Sequence, residues 1–355
     1  MEWYRLKVSG LKSSRIRFLM GIYKEYNELL NESSYKLKTI LKCDRDFNLI
    51  QNSKKDLKEY EKLKIYMKEE SIGLICLNDK EYPELLRKIS KPPLFLFFKG
   101  DIKLLKSEKI LSVVGTRRNT KYGENALKKI IKDLLSADIT IVSGLAMGID
   151  IIAHKETLKV NGNTIAVLGC GIDIFYPEVN KKERLEIEKK GLVISEFPLG
   201  TKPKPYNFPI RNRIISGISK GILIVESPLK GGSLITTEFS LDEGRDIFAI
   251  PGDIFSPMSK GCNNLIRDSK AKLILTGEDI LLEYGWEQKN KLENEKKLPL
   301  GKKNKIFNIL KTKMNLEEIK SEINLSTGEL LSYLMELELE GFIQSLPGGC
   351  YIRKN

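Results

Sequence analysis

Short apolar runs alternate with amphipathic stretches through the middle of the chain. The runs at 110–114, 139–142, 164–168, 192–195, 222–225, 247–250 and 272–275 are four or five residues long and dominated by Ile, Val and Leu. Such runs suit strands covered on both faces of a parallel sheet. Between them, segment 122–135 places Ala126, Leu127, Ile130, Ile131 and Leu134 on one helical face. Further helices are predicted over 149–159, 180–190, 210–218 and 234–241. Strands separated by helices imply βαβ units, and right-handed crossovers put helices on both faces. The predicted class is α/β, with a doubly wound, mostly parallel sheet.

The flanks read differently. In residues 1–70, Ile16, Leu19, Met20, Ile22 and Tyr23 recur at helical spacing, followed by Leu37, Ile40 and Leu41, then Leu57, Tyr60, Leu63, Ile65 and Tyr66. A small helical domain of sterile-alpha-motif or helix-hairpin-helix type is predicted. It lacks the hairpin's glycine signature, so no DNA binding is assigned to it. Segments 73–77 and 94–98 read as strands bounded by prolines, with a short helix over 82–88. Residues 286–303 are rich in Lys and Glu and contain Pro299 and Gly301, a linker composition. Residues 304–355 predict three helices and a hairpin turning at Pro347-Gly348-Gly349, the layout of a winged helix-turn-helix. The domains are therefore 1–70, 71–285, a linker 286–303, and 304–355. The helix in the recognition position, 327–340, carries Glu329, Glu336, Glu338 and Glu340 and no Lys or Arg. Major-groove reading needs phosphates neutralised, so this unit is expected to dock protein or a second copy. Arg353 and Lys354 in the wing are the basic exception.

Three glycine-rich turns follow predicted strands: Gly115-Thr116-Arg117-Arg118, the stretch from Ser143-Gly144 to Gly148-Ile149-Asp150, and Lys230-Gly231-Gly232-Ser233. Ligands of open α/β sheets sit beyond the carboxyl ends of the strands. Helix N-termini and glycine-rich turns favour anions there. Thr116 can donate to a phosphate oxygen and Arg117 can grip one bidentately. Ser143, Gly144 and Gly148 can cradle a phosphate with N–H groups. Phe175, Tyr176 and Asn180 occupy the next loop, where an aromatic ring can stack a base; Glu178 beside them weakens that loop as a phosphate contact. Lys202, Lys204, Arg211 and Arg213 form the densest basic cluster without interleaved acids. Together these residues predict a phosphate-tracking groove.

Other candidate chemistry is thin. Asp150 and His154 lie four apart on one helix face, without a nucleophile or metal cluster to complete them, and are expected to be a hydrogen-bonded structural pair. Gly169-Cys170-Gly171 has Ile174 where a dinucleotide fingerprint needs its third glycine, and no G-x-x-x-x-G-K-[ST] loop exists, so no nicotinamide or nucleotide cofactor is expected. Glu196, Glu226 and Glu238 near the strand ends are expected to cap and to pair with Arg213. No metal site is expected.

Charge changes the picture of the groove. The formal net charge is +13, from 60 Lys and Arg against 47 Asp and Glu, consistent with a nucleic-acid partner or another anionic surface. The five cysteines, Cys43, Cys76, Cys170, Cys262 and Cys350, are scattered, which argues against a disulfide framework or structural zinc. No apolar leader and no run near ~18 apolar residues is present. A cytoplasmic location without a membrane partner is expected.

Val114-Gly-Thr-Arg117, Ser143-Gly-Leu-Ala-Met-Gly-Ile-Asp150 with His154, Phe208-Pro-x-Arg-Asn-Arg-Ile-Ile-Ser-Gly217, Gly231-Gly-Ser-Leu-Ile-Thr236, Phe248-Ala-Ile-Pro-Gly252 and Gly261-Cys-Asn-x-Leu-Ile266, in this order, closely resemble the DNA-processing protein A (DprA/Smf) family over about 72–285. The resemblance implies a Rossmann-like domain that binds single-stranded DNA and forms homodimers. It also implies loading of the recombinase RecA onto DNA shielded by single-strand-binding protein, in natural transformation by competent cells. Arg117 is, by the same resemblance, a DNA contact, with the Ser143 loop and the Arg211/Arg213 motif lining the same groove. A non-enzymatic mediator is the expectation. Two other readings stand beside it. Gly231-Gly232 with Glu238 partly mimics the P-G-G-x-G-T-x-x-E motif of nucleoside-monophosphate phosphoribohydrolases, although Leu234 and Ile235 replace its Gly-Thr. A duplex-DNA regulator acting through the winged helix is the other.

Overall fold

The structure is a computed structural model that describes residues 1–55, 57–287, 301–323, 325–340 and 342–353. Two compact units divide the chain, Met1–Lys289 and Asn290–Asn355. Most of the predicted linker, residues 288–300, lies outside the described residues, as does Lys354. No helix of the described residues is long and apolar enough to cross a membrane.

The first unit opens with six helices: α1 (Tyr4–Val8), α2 (Ser13–Ile22), α3 (Tyr26–Asn31), α4 (Ser34–Leu41), α5 (Asp44–Lys54) and α6 (Lys58–Glu69). Then come β1 (Gly73–Cys76), α7 (Glu84–Arg87), β2 (Phe95–Gly100), β3 (Ile110–Val114), α8 (Lys121–Leu135), β4 (Thr140–Ser143), α9 (Ile149–Lys159), β5 (Thr164–Val167), α10 (Lys181–Lys190) and β6 (Leu192–Ser195). The unit finishes with α11 (Asn207–Ile218), β7 (Gly221–Ile224), α12 (Gly232–Asp242), β8 (Asp246–Ala249), α13 (Lys260–Arg267), β9 (Lys272–Leu273) and α14 (Gly277–Tyr284). Among the described residues, nine strands form one sheet in the order β1-β2-β6-β5-β4-β3-β7-β8-β9. β2 runs antiparallel to both its neighbours, β1 and β6, and the other pairs are parallel. This is the doubly wound, Rossmann-like arrangement. From β3 the chain winds outward through β4 to β6, then returns through α11 to place β7 on the other side of β3.

Alternate residues of β1 to β8 serve opposite cores, the period-2 rule of a strand, whereas both residues of β9 are exposed. Val113 and Ile141 pack with Ile130 and Ala153 on one face; Val114, Val142 and Ile165 pack with Ile215 and Leu86 on the other. The six N-terminal helices share a core with the sheet. Tyr4 meets Phe95 and Phe97 edge-on at 5.0 and 5.4 Å, and the same cluster holds Leu19, Leu37, Ala166 and Val193. α6 buries Tyr60 and Met67, whereas Ile65 and Tyr66, expected on its apolar face, are 58% and 40% exposed. α11 starts three residues before its expected onset because Pro209 sits in the first turn, where a missing N–H breaks no helical bond.

α9 is buried almost all round. Its His154 and Asp150 are not the hydrogen-bonded pair expected. Asp150 accepts from the Gly144 N–H (3.1 Å), while His154 Nδ1 meets Thr164 Oγ1 (2.7 Å). The Thr164 hydroxyl donates its only proton to the Ile141 carbonyl, so Nδ1 is the donor. Nε2 is buried without a hydrogen-bond partner. Protonating it would bury a cation and an unsatisfied donor together.

The second unit contains α15 (Lys302–Ile309), β10 (Met314–Asn315), α16 (Leu316–Glu322), α17 (Thr327–Leu339), β11 (Ile343–Leu346) and β12 (Cys350–Arg353). Three helices enclose Ile306, Leu310, Ile319, Leu330, Leu334 and Leu337. The strands pair β10-β12-β11, which adds a short strand to the predicted hairpin and completes a winged-helix fold. Glu336 of α17 and Glu340 at its C-terminal cap both pair with Lys303. The Arg353 guanidinium lies 4.7 Å over the Phe307 ring.

Burial pulls His154 down from 6.5 to about 3, with the Arg211 charge adding to the effect. A folded pKa below the unfolded one means the folded state binds fewer protons between them, so stability is lost as the pH falls below 6.5. Because this is the chain's single histidine, its imidazole resonances give a clean test. They should hold the neutral shift from pH ~8 down to pH ~5 in the folded protein. A titration midpoint at the ordinary 6.5 would show that the ring reaches water.

Candidate nucleic-acid interface

The winding reverses between β3 and β7. Backbone pairing carries past the strands, Val225 N to Val114 O at 3.2 Å and Thr116 N to Glu226 O at 2.8 Å. The two chains then diverge, one into Gly115-Thr116-Arg117 and the other toward Lys230-Gly231. A groove of about 600 Å³ opens there, walled by residues 115–118, residues 230–233 and the first turns of α11. This is the topological switch point where open α/β sheets take ligands.

Four of the helices that begin at this edge surround the groove, and they are not equivalent. The N-terminus of α8 is closed by a carboxylate: Glu226 accepts from Thr120 N (2.8 Å) and Thr120 Oγ1 (2.6 Å). Glycine at 123 is needed because a Cβ would come within 2.3 Å of that carboxylate. α9 starts against loop carbonyls, with Ile149 N donating to Thr116 O and Ile151 N to Ala146 O. Gly148, at φ +84°, lets these loops touch; a Cβ would lie 2.3 Å from the Thr116 carbonyl. α11 and α12 open without a side-chain cap and without an acid in the first turn. Their N-termini are the ones left to favour an anion in the groove.

The sequence-predicted residues divide into two sets. Arg117, Lys202, Lys204 and Lys230 are exposed and form no ion pair among the described residues. Gly232 faces open space. Tyr176 is 38% exposed and lines the groove with Thr116 and Gly231. The second set points inward. Ser143 is buried with its hydroxyl donating to Val113 O (2.7 Å), Asn180 donates to Leu145 O (2.9 Å), and Ser233 donates to Ser227 Oγ (2.8 Å). The Gly144 N–H is taken by Asp150. Phe175 is no free stacking surface, because Arg184 and Lys181 cover it at 4.4 and 4.9 Å.

Arg211 departs furthest from expectation. It forms the groove floor, yet its guanidinium is buried and donates inward to the Gly144 carbonyl (2.8 Å) and the Val167 carbonyl. Burial pulls it down to about 10 and pushes Asp150 up to about 6, while each charge favours the other. Its neighbour Arg213 faces a different cleft and pairs with Glu196. The expected capping and pairing roles therefore hold for Glu226 and Glu196. Glu238 is exposed and outside the groove lining.

Sequence reasoning missed Phe208 as a site residue. Its ring lies under the Arg117 guanidinium at 5.6 Å and beside Arg211 at 6.0 Å, with the Tyr176 ring 5.5 Å away. A Cβ at Gly169 would reach within 2.7 Å of this ring. Gly169 thus makes room for Phe208, and Gly171 for the close approach of Asp173 and the Pro198 carbonyl, instead of the two holding a dinucleotide. An aromatic beside a proline at a helix start on the ligand edge was the available signal.

Residues 73–285 match the family described as DNA recombination-mediator protein A, and residues 303–349 match the DprA winged helix domain. DNA processing protein DprA of Streptococcus pneumoniae is 38% identical over 289 residues, 80% of this chain and 97% of that protein. Protein Smf of Escherichia coli is 38% identical over 290 residues, 79% of this chain and 77% of its own length. The X-ray structure of the S. pneumoniae protein superposes with a TM-score of 0.69 at 37% identity, covering 80% of this chain and 98% of that one. A Helicobacter pylori DNA processing protein A structure, described for its single-stranded DNA binding mode, gives a TM-score of 0.56 at 28% identity, covering 61% and 97%. With this switch-point groove and these matches, the chain belongs to the DprA/Smf family of DNA recombination-mediator proteins.

Proposed function

We propose that this protein is a recombination mediator that binds single-stranded DNA in the switch-point groove and acts by holding the strand, without cleaving it. The observation that carries this reading is the stack of Arg117, Phe208 and Tyr176 above a groove whose exposed cations lack carboxylate partners. Arg117, Lys202, Lys204 and Lys230 take phosphates, helped by the N-termini of α11 and α12. The aromatic rings meet unstacked bases, which are available only in a single strand. Stacking and charge are both indifferent to sequence, as suits incoming DNA of any origin. The wider role follows the family: protection of single strands and loading of RecA during natural transformation, against single-strand-binding protein, in the cytoplasm. A homodimer lets two grooves share one strand and raises avidity through effective concentration. The winged-helix unit serves protein docking on this reading.

Arg117→Ala should weaken binding to oligo-dT by about tenfold and flatten the salt dependence by about 0.7 in the log–log slope, one phosphate contact. Unchanged affinity in a fluorescence-anisotropy titration removes Arg117 from the DNA path. Deleting 304–355 should leave oligo-dT affinity within about twofold, since the described residues that line the groove all belong to the first unit; loss of binding favours the duplex-regulator reading. Glu238→Ala should likewise leave it intact, and incubation with nucleoside monophosphates should release no free base. Base release that Glu238→Ala abolishes would establish the enzyme reading instead.

A further inference from the structure

A second cleft of about 550 Å³ lies at the same sheet edge, beyond β6, where α1 and α2 meet the loop after β6 and α11. We propose that it binds phosphodiesters of the same strand as that strand runs on from the main groove. The proposal rests on the reading of the main groove as a single-stranded-DNA site.

The cleft's charge is one-sided. Lys7, Arg17, Lys91 and Arg213 line it against one carboxylate, Glu196, which Arg213 already pairs. Arg17 is fixed by donating to the Pro92 carbonyl, and Lys7 by donating to Ser13 Oγ at 3.0 Å. Arg213 Nη1 is buried with no hydrogen-bond partner. Burial, with the Arg213 charge adding to it, pulls Arg17 below the usual guanidinium range, although Tyr82 opposes this. The cost of placing like charges together is relieved by an anion between them. The ten-residue α2 begins here at Ser13 without a side-chain cap or a first-turn acid.

The two cavities flank the start of α11 and are both lined by the loop before it. Phe208, Arg211 and Asn212 of α11 face the groove, and Ile210 and Arg213 face the cleft. The loop before α11 spans both: Phe197 and Pro198 line the cleft, Pro203 and Pro205 the groove. Exposed Lys202 and Lys204 lie in the same loop, the latter 5.8 Å over the ring of Tyr206, itself 60% exposed. From Glu196 to Arg213 the sequence holds no other acid. A strand passing from groove to cleft thus meets cations and rings throughout. The N-terminal helices, which gave no DNA-binding signature of their own, supply one wall of this extension.

The test uses the full-length protein, oligo-dT of about six and about twenty nucleotides, and a salt series. The double variant Lys7→Glu with Lys91→Glu removes two cations outside the core. It should leave the short oligonucleotide within about twofold, weaken the long one about tenfold, and lower the long oligonucleotide's salt slope by more than about 1. Lys91→Glu alone, an exposed site, should shift the long oligonucleotide about threefold in the same direction, and it serves if the double variant melts early. Unchanged affinity and slope for the long oligonucleotide overturns the proposal, and so does equal weakening of both lengths. Arg117→Ala, run in parallel, should weaken both lengths. If it changes neither, the groove reading itself fails, whatever the cleft variants show.

Discussion

The guanidinium of Arg211 reaches from α11 beneath the groove and donates to the carbonyls of Gly144 and Val167, at the ends of two neighbouring strands. Around this contact the carboxyl edge of the sheet is assembled. Gly144 has no side chain because a Cβ there would lie 2.6 Å from the guanidinium and 2.7 Å from Asp150. Asp150 stays close enough to favour the buried charge and holds the Gly144 N–H. A cation taken out of water needs such partners, because the desolvation penalty is recovered only by good hydrogen bonds and an opposite charge. The floor being fixed, Phe208 is held one turn away, and Arg117 comes to rest over it.

The electrostatics of the edge follow from how its carboxylates are used. Glu226 closes α8, Glu196 pairs Arg213, and Asp150 sits against Arg211 beneath the surface. Each acid is matched locally, whereas Arg117, Lys202, Lys204 and Lys230 remain exposed. Part of the formal +13 of the chain thus lies as unneutralised cations at and beside the switch point, where low-dielectric walls and helix N-termini reinforce it.

The sheet was legible in the sequence because strands covered on both faces are apolar at every position, a signal that alternation cannot blur. The turns after them were legible as the carboxyl edge of the sheet because each follows such a run. Side-chain direction within those turns was not. Ser143, Asn180 and Ser233 have the donors a phosphate needs, yet all three donate inward. Periodicity assigns faces to helices and strands but says nothing of a residue where the chain bends. Arg211 and Arg213 were read as equals, but two positions along a helix turn a side chain by about 200°, and one became the floor while the other serves the neighbouring cleft. Phe208 escaped notice because the expected helix began at residue 210, whereas α11 begins at Asn207 and its first turn presents the ring to the groove. The extra strand β10 is two residues long, too short for any pattern.

Buried arginines recur at this edge. Arg184 donates to the carbonyls of Ile172 and Ile174 and pairs with Glu188 at 2.9 Å, tying down the loop that carries Tyr176. Loops pinned in this way have already lost their conformational freedom when the protein folds. Capturing a limp polymer then requires ordering the polymer and the exposed side chains that grip it, and the pinned loop backbone adds little further entropic penalty.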